Sequence, residues 1–326
     1  MTERNRFSVI LDTDPGIDDA MALLFLRAFP SIHLAAITTV FGNADVEVTT
    51  RNACYLTHRF HIDTPVYAGA PRPLRAAPLP LPVHVHGRNG LGDVELPGIS
   101  VAGPAGGVAH ERIVELINAS PGELTLLALG PLTNLALALR ADPDIATRVR
   151  RVIVMGGAFG WSGRRGNVSP VAEANVRNDP DAADAVLAAA WPVTMVGLDV
   201  TTRCVLTHDD ALRLARDGGE AGQFLWEISR NYEELYRRYD GLDGCCLHDV
   251  AAAACVLDPI LFTMSRGPIR VVTEGIAIGQ TIQRSEQFTF PPSDWDHGPA
   301  QLACQNVDAA RLVGLYLDTL IAHARQ

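Results

Sequence analysis

The chain has 326 residues, of which 48% are hydrophobic and 20% charged, so it is long enough to bury a substantial core. Its net charge of -10 argues against binding to a nucleic acid polymer, which requires a basic surface. All 27 basic residues are arginine, which excludes mechanisms that need a lysine amine, such as Schiff-base chemistry and the phosphate-binding P-loop.

The apolar pattern predicts an α/β fold. Short aliphatic runs alternate with amphipathic segments, which is typical of a Rossmann-like, mostly parallel sheet flanked by helices. The predicted strands cover residues 7–11, 34–40, 66–68, 124–129, 152–155 and 193–198. The predicted helices cover residues 18–29, 45–60, 109–119, 133–140 and 180–190. Beyond residue 205 the pattern is mainly helical, at 223–239, 248–257 and 307–324, with a strand-like stretch at 269–282. We predict one domain over residues 1–326.

Two segments are predicted to be long loops that could close over a ligand. Residues 71–97 are rich in proline and glycine and contain His84 and His86, and residues 156–170 hold five glycines around Trp161 and Arg164. In a parallel sheet a ligand binds beyond the carboxyl ends of the strands, where such loops lie.

The sequence also indicates the cellular environment. It contains no run of eighteen apolar residues and no signal-peptide pattern, so we expect a cytoplasmic protein without a membrane partner. The six cysteines form no C-x-x-C pair, and we expect them to be reduced and buried rather than bound to zinc.

An acidic cluster follows the first predicted strand. Asp12, Asp14, Asp18 and Asp19 surround a Pro-Gly turn, and two such charges ~4 Å apart repel by about 4 kcal/mol at an effective dielectric near 20. A hard divalent cation relieves that repulsion, and the number of carboxylates favours Ca²⁺ over Mg²⁺. A helix cap with solvated aspartates would explain only one or two of the four.

Two other metal motifs compete with this interpretation. An EF-hand loop that began at Asp12 would have Ile17 where glycine is needed and Leu23 where glutamate is needed. An apolar strand followed by Asp-x-Asp is also typical of Mg²⁺-dependent phosphatases, although that chemistry normally uses a lysine. A phosphatase therefore stays an alternative, as does a nucleoside-binding or ribose-binding protein without catalysis.

The segment DTDPGIDD at residues 12–19 resembles the amino-terminal motif of the inosine-uridine preferring nucleoside hydrolase family. Further segments resemble the same family in order and spacing, namely TTVFGN (38–43), HG (86–87), GPLTN (130–134), VMGG (154–157), AEAN (172–175), DP (179–180) and HD (248–249). The resemblance covers most of the chain. It implies a nucleoside hydrolase fold and hydrolysis of the N-glycosidic bond of ribonucleosides to free base and ribose.

The resemblance also implies the metal ligands. Ca²⁺ would be held by Asp14, by both oxygens of Asp19, by the backbone carbonyl of Leu129 and by Asp249. Asp14 would activate a metal-bound water as general base. Family members often have threonine at the position of Leu129, and because the ligand is a main-chain oxygen we expect this difference to have little effect.

Sugar contacts follow from the same resemblance. Asp18 and Asn43 would bind the 2′ side of the ribose, and Met155 would contact the sugar through its backbone or edge. Asn167, Glu173 and Asn175 would hold the 3′ and 5′ hydroxyls. Glu173 and Asn175 are two apart in a predicted extended stretch, so both can face one side. Asn43 could alternatively cap the helix predicted from residue 45.

Base recognition is expected from His248, His86 and Tyr236. His248 would protonate the departing base, which otherwise leaves as an anion. His84 is the alternative to His86, and Tyr232 and Tyr236, four residues apart on a helix, could equally be packing residues. His248 favours uridine or inosine as substrate without deciding between them. Family members are homotetramers or homodimers, so we also expect a homo-oligomer.

Overall fold

The strands come from both halves of the chain. The computed structural model describes residues 7–97, 103–284 and 289–326. Its strands are β1 (Phe7–Thr13), β2 (Ile32–Thr39), β3 (Val66–Tyr67), β4 (Leu124–Ala128), β5 (Arg151–Met155), β6 (Val193–Val196), β7 (Val205–Thr207), β8 (Gly244–Cys246), β9 (Phe262–Gly267), β10 (Ile269–Val271), β11 (Thr281–Gln283) and β12 (Gln301–Val307).

The helices connect these strands and cover the sheet. They are α1 (Ile17–Arg27), α2 (Val46–Arg59), α3 (Val83–His86), α4 (Ala109–Ala119), α5 (Thr133–Ala141), α6 (Ile145–Arg148), α7 (Ala174–Asn178), α8 (Pro180–Ala188), α9 (Leu198–Thr201), α10 (His208–Asp217), α11 (Gly219–Asp240), α12 (His248–Leu257) and α13 (Ala309–His323). Two short 3-10 turns, Pro259–Leu261 and Asp294–His297, complete the helical segments of the described residues.

The main sheet has eight strands in the order β3-β2-β1-β4-β5-β6-β12-β9. Every neighbouring pair is parallel except β12 and β9, which are antiparallel. From β1 the chain builds the sheet first toward β2 and β3 and then, on the other side, toward β4, β5 and β6. The carboxyl end of β1 therefore lies at the switch point where ligands bind in open α/β sheets.

Successive side chains of β1 point to opposite faces of the sheet and pack into two different apolar clusters. Val9 and Leu11 pack into the larger apolar cluster with α1, α11, α12 and α13, whereas Ile10 packs into the cluster on the other face with α4, α5 and α8. Because both faces are covered, most residues of the central strands β1, β4 and β5 are apolar, as in parallel strands generally. This burial fixes the register of β1 and hence the position of the acidic turn that follows it.

The first half of the fold confirms the predicted α/β pattern. The second half contains strands that the pattern did not predict. Strands β9 and β12 join the main sheet, β7 pairs with β8, and the stretch predicted as one strand at 269–282 is a hairpin of β10 and β11. The last helix begins at Ala309 rather than at residue 307, because Val307 still belongs to β12.

The six cysteines are all buried and none forms a disulfide. Among the described residues no helix is both long and apolar enough to cross a membrane.

Candidate active site

The turn between β1 and α1 is held together by the carboxylate of Asp19. Its oxygens accept hydrogen bonds from the backbone N–H groups of Asp14 at 3.2 Å and Gly16 at 2.9 Å, and from the hydroxyl of Thr13. Asp18 and Asp19 occupy the first turn of α1, where the helix dipole favours negative charge. The sequence folds here as predicted, and the turn brings its carboxylates to the switch point.

Asp249 reaches the same place from the other end of the chain. It lies in the first turn of α12, which packs against α1. One carboxylate oxygen from each of Asp18, Asp19 and Asp249 lies within 4.8 Å of the other two, and all three residues are buried. Carboxylates that are distant in sequence therefore converge in one group, as a shared cation requires.

Asp14 lies beside this group without being one of its three members. Its Oδ2 accepts the backbone N–H of Asn43 at 2.8 Å, whereas its buried Oδ1 has no hydrogen-bond partner. The carboxylate is closely confined, since a Cβ added at Gly130 would lie 2.5 Å from Oδ1. A buried carboxylate oxygen without a partner is unfavourable unless a cation or proton satisfies it.

Burial and mutual repulsion disfavour the ionised forms of these acids. Burial raises the pKa of Asp14 and Asp249 well above the usual range, and neighbouring carboxylates raise both further. Burial likewise raises the pKa of Asp18 and of Asp19 to about 6, with the charge of Asp18 adding to the effect at Asp19. A divalent cation would reverse these shifts, and the all-oxygen donor set suits a hard ion.

The backbone carbonyl of Leu129, just beyond β4, faces the site. It accepts a hydrogen bond from Nδ2 of Asn175 at 2.6 Å, and the N–H of Leu129 is bonded to the carbonyl of Asp12 at 2.8 Å. A carbonyl oxygen has two lone pairs, so one remains for a further partner. This geometry is compatible with the predicted main-chain ligand.

Asn43 belongs to the site and does not cap a helix. Its Nδ2 donates to Oδ2 of Asp19 at 2.9 Å and to the carbonyl of Asp14 at 3.2 Å. Helix α2 begins after Asp45. Asn43 therefore fixes the acidic turn from the loop that follows β2.

Glu173 and Asn175 both border the site, but the extended stretch predicted for them is wrong. Glu173 is the N-cap of α7, and its side chain accepts the N–H groups of Asn175 at 2.8 Å, Val176 at 3.1 Å and Gly157 at 2.9 Å. Nδ2 of Asn175 also reaches the carbonyl of Met155 at 3.2 Å. Asn167 accepts the N–H of Ala174 through Oδ1 at 3.0 Å. These bonds join the carboxyl end of β5 to α7.

His248 lies between two hydroxyl groups. Its Nε2 is 2.6 Å from the hydroxyl oxygen of Tyr236, and its Nδ1 is 2.7 Å from that of Thr201. Burial lowers the pKa of His248 to about 4, so the imidazole is neutral near pH 7. Tyr232 packs edge-on against Tyr236 with ring centroids 5.0 Å apart.

His86 is the buried one of the two candidate histidines. It ends α3, its Nδ1 accepts the N–H of Ile17 at 3.3 Å, and its ring lies 5.8 Å from that of Tyr232. His84 also borders the cavity and is exposed. Both histidines reach the site, and His86 is the one that contacts the acidic turn.

A cavity of about 500 Å³ is bordered both by acidic residues, such as Asp18 and Asp249, and by His248 and Tyr236. Eleven predicted residues line it, namely Asp18, Asn43, His86, Leu129, Met155, Asn167, Glu173, Asn175, Tyr236, His248 and Asp249. Asp14 and Asp19 are not among its lining residues and belong to the turn that carries Asp18. The cavity thus has an acidic part and a part with imidazole and phenol groups, which suits a molecule with a polyhydroxyl end and an aromatic end.

The structure adds residues that the sequence did not single out for this site. Thr201 in α9 contacts His248, and an ion pair of Arg164 with Asp240 lies at the cavity. The sequence analysis names Arg164 only as part of the loop at 156–170, and the glycines around it are the only sequence feature that indicates a role at the site. Thr201 and Asp240 carried no signal, because their partners are far away in the chain.

Comparisons with known proteins identify the same family that the sequence motifs resemble. The profile of the family described as inosine-uridine preferring nucleoside hydrolase matches residues 9–314. Uridine nucleosidase 1 of Arabidopsis thaliana is 42% identical over 275 residues, which cover 84% of this chain and 81% of the relative.

Two solved structures share the fold. A plant nucleoside hydrolase, the PpNRh1 enzyme, matches with a TM-score of 0.90 and 36% identity over 97% of this chain and 99% of its own. A purine-preferring ribonucleoside hydrolase from Gardnerella vaginalis matches with a TM-score of 0.89 and 31% identity over 98% of this chain and 99% of its own. The chain therefore belongs to the inosine-uridine preferring nucleoside hydrolase family and is a hydrolase that acts on N-glycosyl compounds.

Proposed function

We propose that the chain hydrolyses uridine-like and inosine-like ribonucleosides to free base and ribose, and that it requires Ca²⁺. The observation that carries this proposal is the convergence of Asp18, Asp19 and Asp249, with oxygens within 4.8 Å of one another, on a cavity that also contains His248. An ion and a proton relay in one cavity match the needs of N-glycosidic hydrolysis.

The ion would be held by Asp14, Asp19, Asp249 and the carbonyl of Leu129, with Asp18 beside them. The partnerless Oδ1 of Asp14 and the raised pKa values of the group support this set. The number of available oxygens favours calcium, which accepts six to eight, over magnesium. A bound divalent ion supplies positive charge that lowers the pKa of a nearby water and attracts sugar hydroxyls.

Asp14 would act as the general base. Its Oδ1 has no hydrogen-bond donor of its own, so it can accept a proton from the attacking water. The close approach of Gly130 and the bond from Asn43 keep the carboxylate in one orientation. A fixed base keeps the water in line with the anomeric carbon, which removes much of the entropic barrier.

The ribose would lie between the acidic turn and α7. Asp18, Asn43, Asn167 and Asn175 all line the cavity. Glu173 already accepts three backbone N–H groups, so its main contribution would be to hold α7 and the loop after β5 in place. Met155 would contact the sugar, since it lines the cavity at the end of β5.

The departing base would receive its proton through the pair of His248 and Tyr236. Because the pKa of His248 is about 4, the imidazole is neutral and holds one proton, and the 2.6 Å bond to Tyr236 makes a relay possible. Protonation prevents the base from leaving as an anion. His86 would border the base from α3. The homo-oligomeric state, the cytoplasmic location and the single domain stay predictions.

The experiment that tests this proposal is product analysis. The protein is incubated with inosine, uridine, cytidine or adenosine, with and without the chelator EGTA, and free base and ribose are quantified. We expect base release from uridine and inosine, its loss with EGTA and its return with added Ca²⁺. Asp14→Asn should abolish turnover, whereas the exposed control Asp144→Asn should not.

Three outcomes would contradict the proposal. Full activity after exhaustive calcium removal would reject the metal requirement. Release of inorganic phosphate from phosphomonoesters, without base release from nucleosides, would favour the phosphatase. Tight ribose binding without turnover at saturating calcium would favour a binding protein.

A further inference from the structure

An ion pair borders the cavity near the proposed position of the base. Arg164 lies in the loop after β5, and its NH1 and NH2 groups donate to the two carboxylate oxygens of Asp240, the last residue of α11. Both residues line the cavity together with Tyr236 and His248. The proposed hydrolytic mechanism uses neither Arg164 nor Asp240.

The loop that carries Arg164 is firmly anchored. The buried carboxylate of Asp199 in α9 accepts the backbone N–H groups of Phe159 at 2.7 Å, Trp161 at 2.6 Å and Ser162 at 3.2 Å. The rings of Phe159 and Trp161 stack with centroids 4.8 Å apart. Because one carboxylate group accepts three donors within four residues, the backbone just before Arg164 has a defined position.

Arg164 stabilises Asp240 at an unfavourable position for a carboxylate. Asp240 ends α11, where the helix dipole is negative and disfavours a carboxylate. Arg164 offsets that charge and is held by it in return. The bidentate pair uses two of the five N–H groups of the guanidinium, and within the described ranges no acceptor is bonded to the other three. The Arg164 side chain is 35% exposed and lines the cavity, so these donors are accessible to a ligand that offers an acceptor.

We propose that Arg164 contacts the nucleobase and favours bases with an exocyclic carbonyl oxygen, while Asp240 positions the guanidinium. This inference rests on the proposed function. When the bond from the anomeric carbon to the base nitrogen breaks, its electron pair stays on the base and the charge spreads onto the ring and its carbonyl oxygens. A guanidinium only donates, so it stabilises that oxygen more in the transition state than in the bound nucleoside, and it offers nothing to an exocyclic amino group.

The test compares substrates in the calcium-loaded enzyme. Arg164→Gln should lower kcat/KM for uridine and inosine about 30-fold, which is on the order of one charge-assisted hydrogen bond, and mainly through kcat. For p-nitrophenyl riboside, whose leaving group departs without such help, the loss should stay below about threefold. Adenosine, which has no exocyclic oxygen, should lose much less than inosine. Asp240→Asn should give the same pattern with a smaller loss, because Arg164 keeps its donors but loses its orientation.

Arg165→Gln is the matched control, since Arg165 is the neighbouring arginine and does not line the cavity. We expect it to leave the uridine to p-nitrophenyl riboside ratio unchanged. An equal loss on all substrates after Arg164→Gln, or no loss on uridine, would overturn the role of Arg164. An equal fall for adenosine and inosine would overturn the preference for oxygen. If the wild-type enzyme releases base from none of these nucleosides, the proposed function fails instead.

Discussion

The close approach of Gly130 to Asp14 allows a test of the proposed metal site in which no carboxylate residue is substituted. Gly130 does not have a positive φ, so alanine fits its backbone without strain. The added Cβ would lie 2.5 Å from Oδ1 of Asp14 and 2.9 Å from Cγ1 of Val40, which is closer than real Cβ atoms approach other atoms. Because the Val40 side chain is buried, the carboxylate must move away from the ion position.

The expected loss of calcium-dependent stability follows from the weaker calcium affinity of the variant. Disturbing the support of a metal ligand typically weakens binding by about 10–100-fold. At a calcium concentration of about 100 times the wild-type Kd, the ion stabilises the wild-type fold by about 2.7 kcal/mol. With a Kd about 100-fold higher, the same calcium concentration stabilises Gly130→Ala by only about 0.4 kcal/mol. The variant should therefore lose most of the calcium-dependent rise in Tm.

The assay is thermal unfolding with and without calcium, together with calorimetric titration of calcium into chelator-treated protein. Gly314→Ala is the matched control. A Cβ there meets no atom within 4 Å, and the substitution should stabilise α13 by up to about 1 kcal/mol without changing calcium affinity. The reasoning is refuted if Gly130→Ala binds calcium as tightly as Gly314→Ala.

Two further predictions concern the proton relay. His248→Gln should lower kcat on uridine by about 10²–10⁴-fold and on p-nitrophenyl riboside far less, because general acid catalysis matters most for poor leaving groups. Steady-state kinetics on both substrates checks this prediction. Equal losses on the two substrates would remove His248 from the proposed relay. Thr201→Val removes the hydroxyl that lies 2.7 Å from Nδ1 of His248 at nearly constant volume, so kcat on uridine should fall about tenfold. Thr202→Val is its control, since that hydroxyl bonds the carbonyl of Leu198 at 2.7 Å, and a similar fall in both variants would contradict a specific role for Thr201.

The predicted α/β pattern of the first half of the chain is confirmed, and its central strands β1, β4 and β5 are covered by apolar clusters on both faces. Strand β4, for example, is buried at every residue from Leu124 to Ala128, and all of them except Thr125 are apolar. Strands β9 and β12 were not predicted, and both are less completely buried. Polar and half-exposed residues interrupt both, so neither shows clear alternation or a continuous apolar run.

Candidate site residues could be named from the sequence where consecutive residues carry the information. The acidic turn at 12–19 and the histidine before Asp249 stand out without any structure. The extended conformation predicted for residues 173–175 is wrong because glutamate is not a preferred N-cap, so nothing in the sequence indicated that α7 starts there. The contact of Thr201 with His248 depends on tertiary folding alone, and no spacing rule can reveal it.

The short helix α9 links the loop after β5 to the side chain of His248, and both border the candidate active-site cavity. Asp199 holds the backbone at Phe159, Trp161 and Ser162, and Thr201, two residues later, touches the ring of His248. A displacement of the loop at residues 159–162 is therefore expected to displace α9, which also carries the hydroxyl next to the imidazole of His248. We therefore expect a loosened loop to slow the chemical step, through the proposed proton donor His248, as well as to weaken nucleoside binding.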